Sequence, residues 1–133
     1  MPAHLEDAVS KLFDSFNRRA VDEVLELCAA DLEFEAASAE FAGRSGAYAG
    51  HDGMQEYFAD VDRVWDELLI TPRGIIVRGE EALAIGRVFA RSRSAGLRDM
   101  PVAWRFRASA GLFDRIKVYE DPSQALSAWR ERR

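Results

Sequence analysis

The stretch Leu83-Ala84-Ile85-Gly86-Arg87-Val88-Phe89-Ala90-Arg91-Ser92-Arg93 decides the fold. It alternates with period two: Leu83, Ile85, Arg87, Phe89 and Arg91 share one face, and Ala84, Gly86, Val88, Ala90 and Ser92 the other. Strict alternation over this length is the pattern of a long β-strand. Downstream, Ala95-Gly96 reads as a turn, and Val102, Trp104 and Phe106 alternate with Ala103, Arg105 and Arg107. A second turn at Ser109-Ala110-Gly111 leads to a strand in which Ile116 and Val118 alternate with Arg115, Lys117 and Tyr119. Upstream, Ile75-Ile76-Val77 runs into the turn Gly79-Glu80-Glu81. Short turns between four successive strands imply an antiparallel meander. Asp121-Pro122 ends it, and Ser123 to Trp129 reads as a short helix.

The first half has a different period. Leu5, Ala8, Val9, Leu12, Phe13 and Phe16 recur at spacings of three and four, which marks a helix over residues 3–17. Val21, Val24, Leu25, Leu27 and Cys28 mark a shorter second helix after Asn17-Arg18-Arg19. Leu32, Phe34 and Ala36 then alternate as a strand, and residues 38–50 read as a loop. A third helix starts near His51. Its stripe is Met54, Tyr57, Phe58, Val61, Val64, Trp65 and Leu68, and Pro72 closes the segment. The order is helix, helix, strand, helix and four strands. That is an α+β chain, expected as a single domain over residues 1–133: a cone made by a curved antiparallel sheet with the N-terminal helices packed on its concave face.

Composition narrows the function classes. The chain has 133 residues, 48% hydrophobic and 31% charged, the balance of an ordinary globular domain. A formal net charge of −5 argues against a dedicated nucleic-acid or anionic-membrane binder. One cysteine, Cys28, excludes a disulfide within the chain and favours a reducing compartment. The start lacks a basic region followed by an apolar run, and no stretch is long and apolar enough to span a membrane, so a cytoplasmic location is expected. Two distant histidines with no paired acids argue against a metal site, and no cofactor motif appears.

Three motifs resemble the SnoaL-like branch of the nuclear-transport-factor-2-like, or ketosteroid-isomerase-like, superfamily. They are Phe16-Asn17-Arg18 through Ala30-Asp31-Leu32-Glu33-Phe34, then Tyr48-Ala49-Gly50-His51-Asp52-Gly53, then Pro101-Val102-Ala103-Trp104-Arg105-Phe106 through Tyr119-Glu120-Asp121-Pro122. The resemblance implies the cone fold. It leaves function open, because the superfamily hosts isomerases, dehydratases, epoxide hydrolases, cyclases and non-catalytic binders. Carried over position by position, the ketosteroid-isomerase base falls at Ala36, its tyrosine at Leu12 or Phe13, and its oxyanion aspartate at Val102. All three lack the required group. The Asp-Arg-Asp set of limonene-epoxide-hydrolase-like sites is not supplied by the inward positions. The late-strand aspartate of polyketide cyclases has only Asp99 and Asp114 nearby, both read as turn residues.

The catalytic candidates that remain are Glu120, Tyr57 and His51. Glu120 shares parity with Ile116 and Val118, which the resemblance turns into the cone, where a carboxylate serves as acid or base. The competing reading is a solvated residue at a strand end. Tyr57, like Tyr48, could donate to a carbonyl or epoxide oxygen, or simply pack in the core. His51 has proton-transfer chemistry but also suits a helix start. Phe34, Phe58, Trp65, Val102, Trp104, Phe106 and Val118 would line an apolar pocket or else fill it. Arg87, Arg91, Arg93, Arg98, Arg105 and Arg107 read as the outer face of the sheet, through which relatives dimerise; acids such as Glu33 and Glu35 would oppose them. The expectation is therefore a cofactor-free isomerase, cyclase or hydrolase acting on a small apolar carbonyl or epoxide compound. The alternatives are a non-catalytic binder of a small apolar molecule and a dimeric interaction module.

Overall fold

A computed structural model describes residues 2–35, 47–92, 94 and 96–131. The helices are α1 (Pro2–Asn17), α2 (Val21–Leu27), α3 (Gly50–Val64) and α4 (Pro122–Glu131). The strands are β1 (Cys28–Glu35), β2 (Ala47–Ala49), β3 (Glu67–Arg78), β4 (Glu81–Ser92), β5 (Gly96–Ser109) and β6 (Leu112–Tyr119). They form one curved six-stranded sheet in the order β2-β1-β6-β5-β4-β3. The sheet is mixed: every pairing is antiparallel except β1 with β6, which run parallel. The expected all-antiparallel sheet is corrected at that one seam, because β1 precedes the meander and returns to its far end.

The alternation at the centre of the chain decides which face is which. Ala82, Ala84 and Ala90 of β4 are buried on the side of α1–α3. In register with them across β5 stand large rings: Phe106 opposite Ala82 and Trp104 opposite Ala84. Small side chains on one strand give the neighbouring rings room to cross the cone, which is how close packing is reached without voids. The aromatic core is continuous from there. Phe13 meets Trp104 edge-on at 4.8 Å and Phe106 at 5.8 Å, and Phe34 meets Tyr57 at 4.7 Å.

The opposite face carries a second, smaller core. Leu83 and Ala103, both fully buried, pack against Ala125 and Trp129 of α4. The Arg78 guanidinium lies 3.9 Å from the centre of the Trp129 ring, with Arg105 at 5.4 Å, and Arg78 donates a hydrogen bond to the Trp129 carbonyl at 2.8 Å. The last helix is thus fastened to the convex face, away from the other three.

Several boundaries differ from the sequence expectation. Cys28 opens β1 instead of closing α2. α3 stops at Val64, with Trp65 extended after it, and Leu68 belongs to β3. Pro72 lies inside a strand. β3 is an edge strand, and the register slips between Pro72 and Gly74, so the missing N–H falls at a bulge. Residues 47–49, expected as loop, form β2. Ala36 and Arg93 lie outside the described residues.

Candidate functional site

Among the described residues, the cone interior is packed with aromatic side chains around two small hollows. Where β3 begins, β4 and β6 end and β5 begins, an outer hollow of about 50 Å³ is lined by residues including Tyr57, Trp65, Val102, Trp104, Val118 and Glu120. Deeper in, an inner hollow of about 40 Å³ is lined by residues including Phe13, Phe34, Tyr57, Trp104, Phe106 and Val118. Tyr57, Ile70, Trp104 and Val118 belong to both walls. A water needs about 10–15 Å³ of such space, and small-molecule pockets run to roughly 300–1,000 Å³. At this size the hollows hold water-sized guests.

The outer hollow collects the chemistry. Glu120 follows Tyr119, which is in register with Ala103, so it stands beside Val102 on the inward parity of β6. It lines the hollow while remaining exposed to solvent. Tyr57 reaches the same space from α3, is 9% exposed, and is stacked on Phe16 with ring centres 5.9 Å apart. Trp65, the residue after α3, closes the wall, its backbone N–H bonded to the Val61 carbonyl at 2.8 Å.

Arg98 is the residue that sequence reasoning placed on the wrong side. Expected on the outer face with the other arginines, it shares parity with Met100, Val102 and Trp104 and lines the outer hollow, half-buried. The signal was present in the alternation: Arg105 and Arg107 have odd numbers, and Arg98 falls on the even, inward set. Leu68, Ile70 and Val88 also line the hollow. The first two were hidden by the extension of α3 into β3.

Other candidates stand apart. His51 lines neither hollow. Its Nε2 lies 2.9 Å from the Cys28 carbonyl oxygen, so that nitrogen carries the proton and donates. Phe58 is buried against Phe16, 5.3 Å between ring centres, and lines neither hollow. The Tyr48 hydroxyl donates to Asp60 at 2.8 Å. Cys28 is buried, and desolvation pushes its thiol up to about 12, the protonated and unreactive form. Asp99 and Asp114 lie within strands, not turns, and pair with Arg87 at 3.0 Å and Arg107 at 2.9 Å. Among the described residues, no cluster of three His, Cys, Asp or Glu side chains could hold a metal ion, and no helix is long and apolar enough to cross a membrane.

A larger depression, about 280 Å³, lies on the convex face and is lined by Glu81, Arg105, Arg107, Arg115, Lys117 and Tyr119 among others. Glu81 holds Arg105 at 2.9 Å, and Glu33 and Glu35 of β1 stand in register with Arg115 and Lys117. Its walls are thus polar and of both signs, unlike the apolar cone.

A family model for the SnoaL-like domain matches residues 9–116. The chain belongs to the SnoaL-like family. No curated protein matches the sequence. Among solved structures, an NTF2-like protein of unknown function from Burkholderia pseudomallei K96243 superposes with a TM-score of 0.81 at 18% identity, over 93% of this chain and 95% of its own. TerC, co-crystallised with polyporic acid, gives 0.80 at 19% identity, over 93% and 96%. A candidate SnoaL-like polyketide cyclase from Jannaschia sp. CCS1 gives 0.73 at 16% identity, over 96% and 92%. At these identities the likeness shows a common fold. This SnoaL-like chain keeps the cone, and among the described residues its apolar side holds the two small hollows.

Proposed function

We propose that this SnoaL-like protein is a cofactor-free acid–base enzyme acting on a small, mostly apolar carbonyl compound at the outer hollow. The observation that carries this reading is the meeting of a carboxylate, Glu120, and a phenol, Tyr57, on a space otherwise walled by Trp65, Trp104, Val102 and Val118. Glu120 takes a proton from the carbon next to the carbonyl, and the electron pair moves to oxygen as an enolate. The Tyr57 hydroxyl donates to that oxygen. Where the compound is β,γ-unsaturated, returning the proton from Glu120 to the γ carbon completes an isomerisation; where a second carbonyl is within reach, attack of the enolate carbon on it closes a ring, and the resulting alkoxide takes the proton back from Glu120. A positioned general base contributes about 10²–10⁴ in rate. Ligand entry requires lining side chains to move apart, since the hollow is only about 50 Å³. That a protein of the same fold, TerC, was co-crystallised with polyporic acid supports reading this fold as one that takes a small molecule. The single, buried Cys28 supports a cytoplasmic location as part of the same proposal.

The test needs no knowledge of the natural substrate. 2-Tetralone in D₂O exchanges its activated protons through an enolate, which NMR follows directly. Protein-catalysed exchange that drops about a hundredfold or more in Glu120→Gln supports the reading. Exchange at the buffer rate with wild-type protein, or exchange untouched by the substitution, overturns it.

The polar depression on the convex face favours a second reading, a homodimer joined there. α4 covers the Leu83–Ala103 region, which leaves the β1, β6 and β5 surface for contact. Glu33 and Glu35 of one copy would meet Arg115 and Lys117 of the other, an isologous two-signed interface. Sedimentation of Arg115→Glu/Lys117→Glu against wild type decides it: a dimer that becomes a monomer supports the contact, and a wild-type monomer at micromolar concentration rejects it.

A further inference from the structure

We propose that Trp104 is the floor of the outer hollow and sets the specificity of the site, by fixing how long an apolar tail a carbonyl compound can carry beyond its reacting end. The inference rests on the preceding reading of the outer hollow as a ligand site and adds what limits the ligand. The two hollows follow one another along the strands. Successive inward residues of a strand are about 7 Å apart, so each is one step of depth. On β5, Met100 and Val102 line the outer hollow alone, Trp104 lines both, and Phe106 lines the inner alone. On β6, Glu120 lines the outer alone, Val118 both, and Ile116 the inner alone. The boundary on both strands falls at Trp104 and Val118, which are register partners. Tyr57 and Ile70, which also border both hollows, complete the collar.

Of the collar residues, Trp104 has the largest side chain. It is buried, and Phe13, which lines the inner hollow alone, meets its ring edge-on with centres 4.8 Å apart. The indole is thus backed from the inner side by the aromatic core. Tyr57 is held among the rings of Phe16, Phe34, Tyr48 and Phe58, at centre distances between 4.7 and 6.3 Å. Val118 and Ile70 carry compact branched side chains. Beyond the collar the described lining of the inner hollow is apolar or aromatic throughout, so a hydrocarbon tail suits it chemically and is kept out by the indole. Close packing makes such a floor sharp, because an interior that is already filled resists each added methylene. A hydrophobic pocket discriminates one methylene by about tenfold or more.

The probes are 2-tetralone and 6-phenyl-2-tetralone, which share the reacting ketone and differ in the length of the tail. Each is titrated into the protein and followed by ¹H–¹⁵N NMR at two sets of backbone amides. Leu68, Ala90 and Met100 report on the outer hollow, and Val24, Met54 and Ile116 on the inner. Wild-type protein should bind the longer ketone about tenfold or more weakly than the shorter, with shifts confined to the outer set. Trp104→Leu joins the hollows, so it should bring the longer ketone to at least equal affinity and spread its shifts to the inner set. If Trp104→Leu does not fold, Trp104→Phe, which keeps a smaller ring in the same core, should narrow the ratio in the same direction. Wild-type shifts at the inner set with the longer ketone, or a folded Trp104 variant whose ratio and shift pattern match the wild type, overturn the role of Trp104 and leave the outer hollow as a site. Failure of 2-tetralone to move the outer set in wild-type protein overturns the reading of the hollow and this inference with it.

Discussion

Asn17 and Ile70 hold each other by a pair of hydrogen bonds. The Ile70 N–H donates to Asn17 Oδ1 at 2.8 Å, and Asn17 Nδ2 donates to the Ile70 carbonyl at 2.9 Å. A side-chain amide at the last position of α1 thus imitates a neighbouring strand along β3, an edge of the sheet. An edge strand presents unpaired backbone groups, and Asn17 satisfies two of them while tying helix to sheet. Ile70 borders both hollows, so this clamp also sets their wall. Nearby, Arg19, held in a left-handed turn at φ 59°, donates to the Leu68 carbonyl at 2.9 Å.

Replacing Asn17 by alanine strands both backbone groups of Ile70. Each lost bond costs about 1 kcal/mol, and the part-buried orphans add to it, so the loss should be roughly 2–3 kcal/mol in urea denaturation. Asn17→Asp keeps the acceptor and loses the donor, and should fall between the two. Equal stability of all three proteins would show that the clamp contributes nothing.

At Gly86 the β4 backbone comes close against β3. A Cβ placed there would lie 2.3 Å from the Thr71 carbonyl oxygen and 2.8 Å from Pro72 Cα, at the bulge. Both contacts are with backbone, which cannot swing away. Gly86→Ala should destabilise by about 1–3 kcal/mol, the scale of overpacking, even though alanine is tolerated at Ala84 two residues away. Thermal denaturation checks it, and an unchanged midpoint would mean that the bulge relaxes freely.

Glu23 gives the fold an acid-sensitive contact. Hydrogen bonds from Arg18, at 2.6 Å, and from buried Ser15, at 2.9 Å, hold its carboxyl below the ordinary value of 4.5. A depressed carboxyl contributes stability that is complete above about pH 4.5 and is lost as the pH falls through the folded value. The stability gap between wild type and Glu23→Gln should therefore be open at pH 6 and shrink towards pH 3. A gap constant over that range would contradict the assignment.

Cys28 works in the opposite sense. Burial raises its thiol to about 12, so the folded protein keeps a proton that the unfolded chain releases near its ordinary 9.0. Stability from this source is complete below pH 9 and declines as the pH climbs towards 12, a slope that Cys28→Ala should flatten. The native thiol should also resist a thiol-specific disulfide reagent at pH 8 and react at once in denaturant. Rapid labelling of the folded protein would show the thiol to be accessible.

Period two was legible wherever a strand has one wet face and one dry one. Alternation puts Val102, Trp104 and Phe106 on one face and Val118 with Ile116 on another, the resemblance turns those faces inward, and all four line a hollow. Of β3 only the Ile75–Val77 end was legible, because an edge strand is exposed along much of both faces. Leu68 also continues the spacing of Val61 and Val64, so helix and strand periods overlap there. β2 has three residues, too few to show any period. Arg98 misleads for a different reason: its charge suggests the wet face, while its even position in β5 puts it on the inward set. How full the cone is could not be read at all, since the same rings that line a pocket also fill one, and only their mutual distances decide.

The central claim is that a small apolar carbonyl compound enters the outer hollow. The most direct measurement is a ¹H–¹⁵N NMR titration of the wild-type protein with 2-tetralone, mapped residue by residue. Saturable shifts at Leu68, Ala90, Met100 and Val118, with little change at Arg107, Arg115 and Lys117 on the convex face, are the expected result. Shifts confined to the convex face, or none at millimolar ligand, would contradict it.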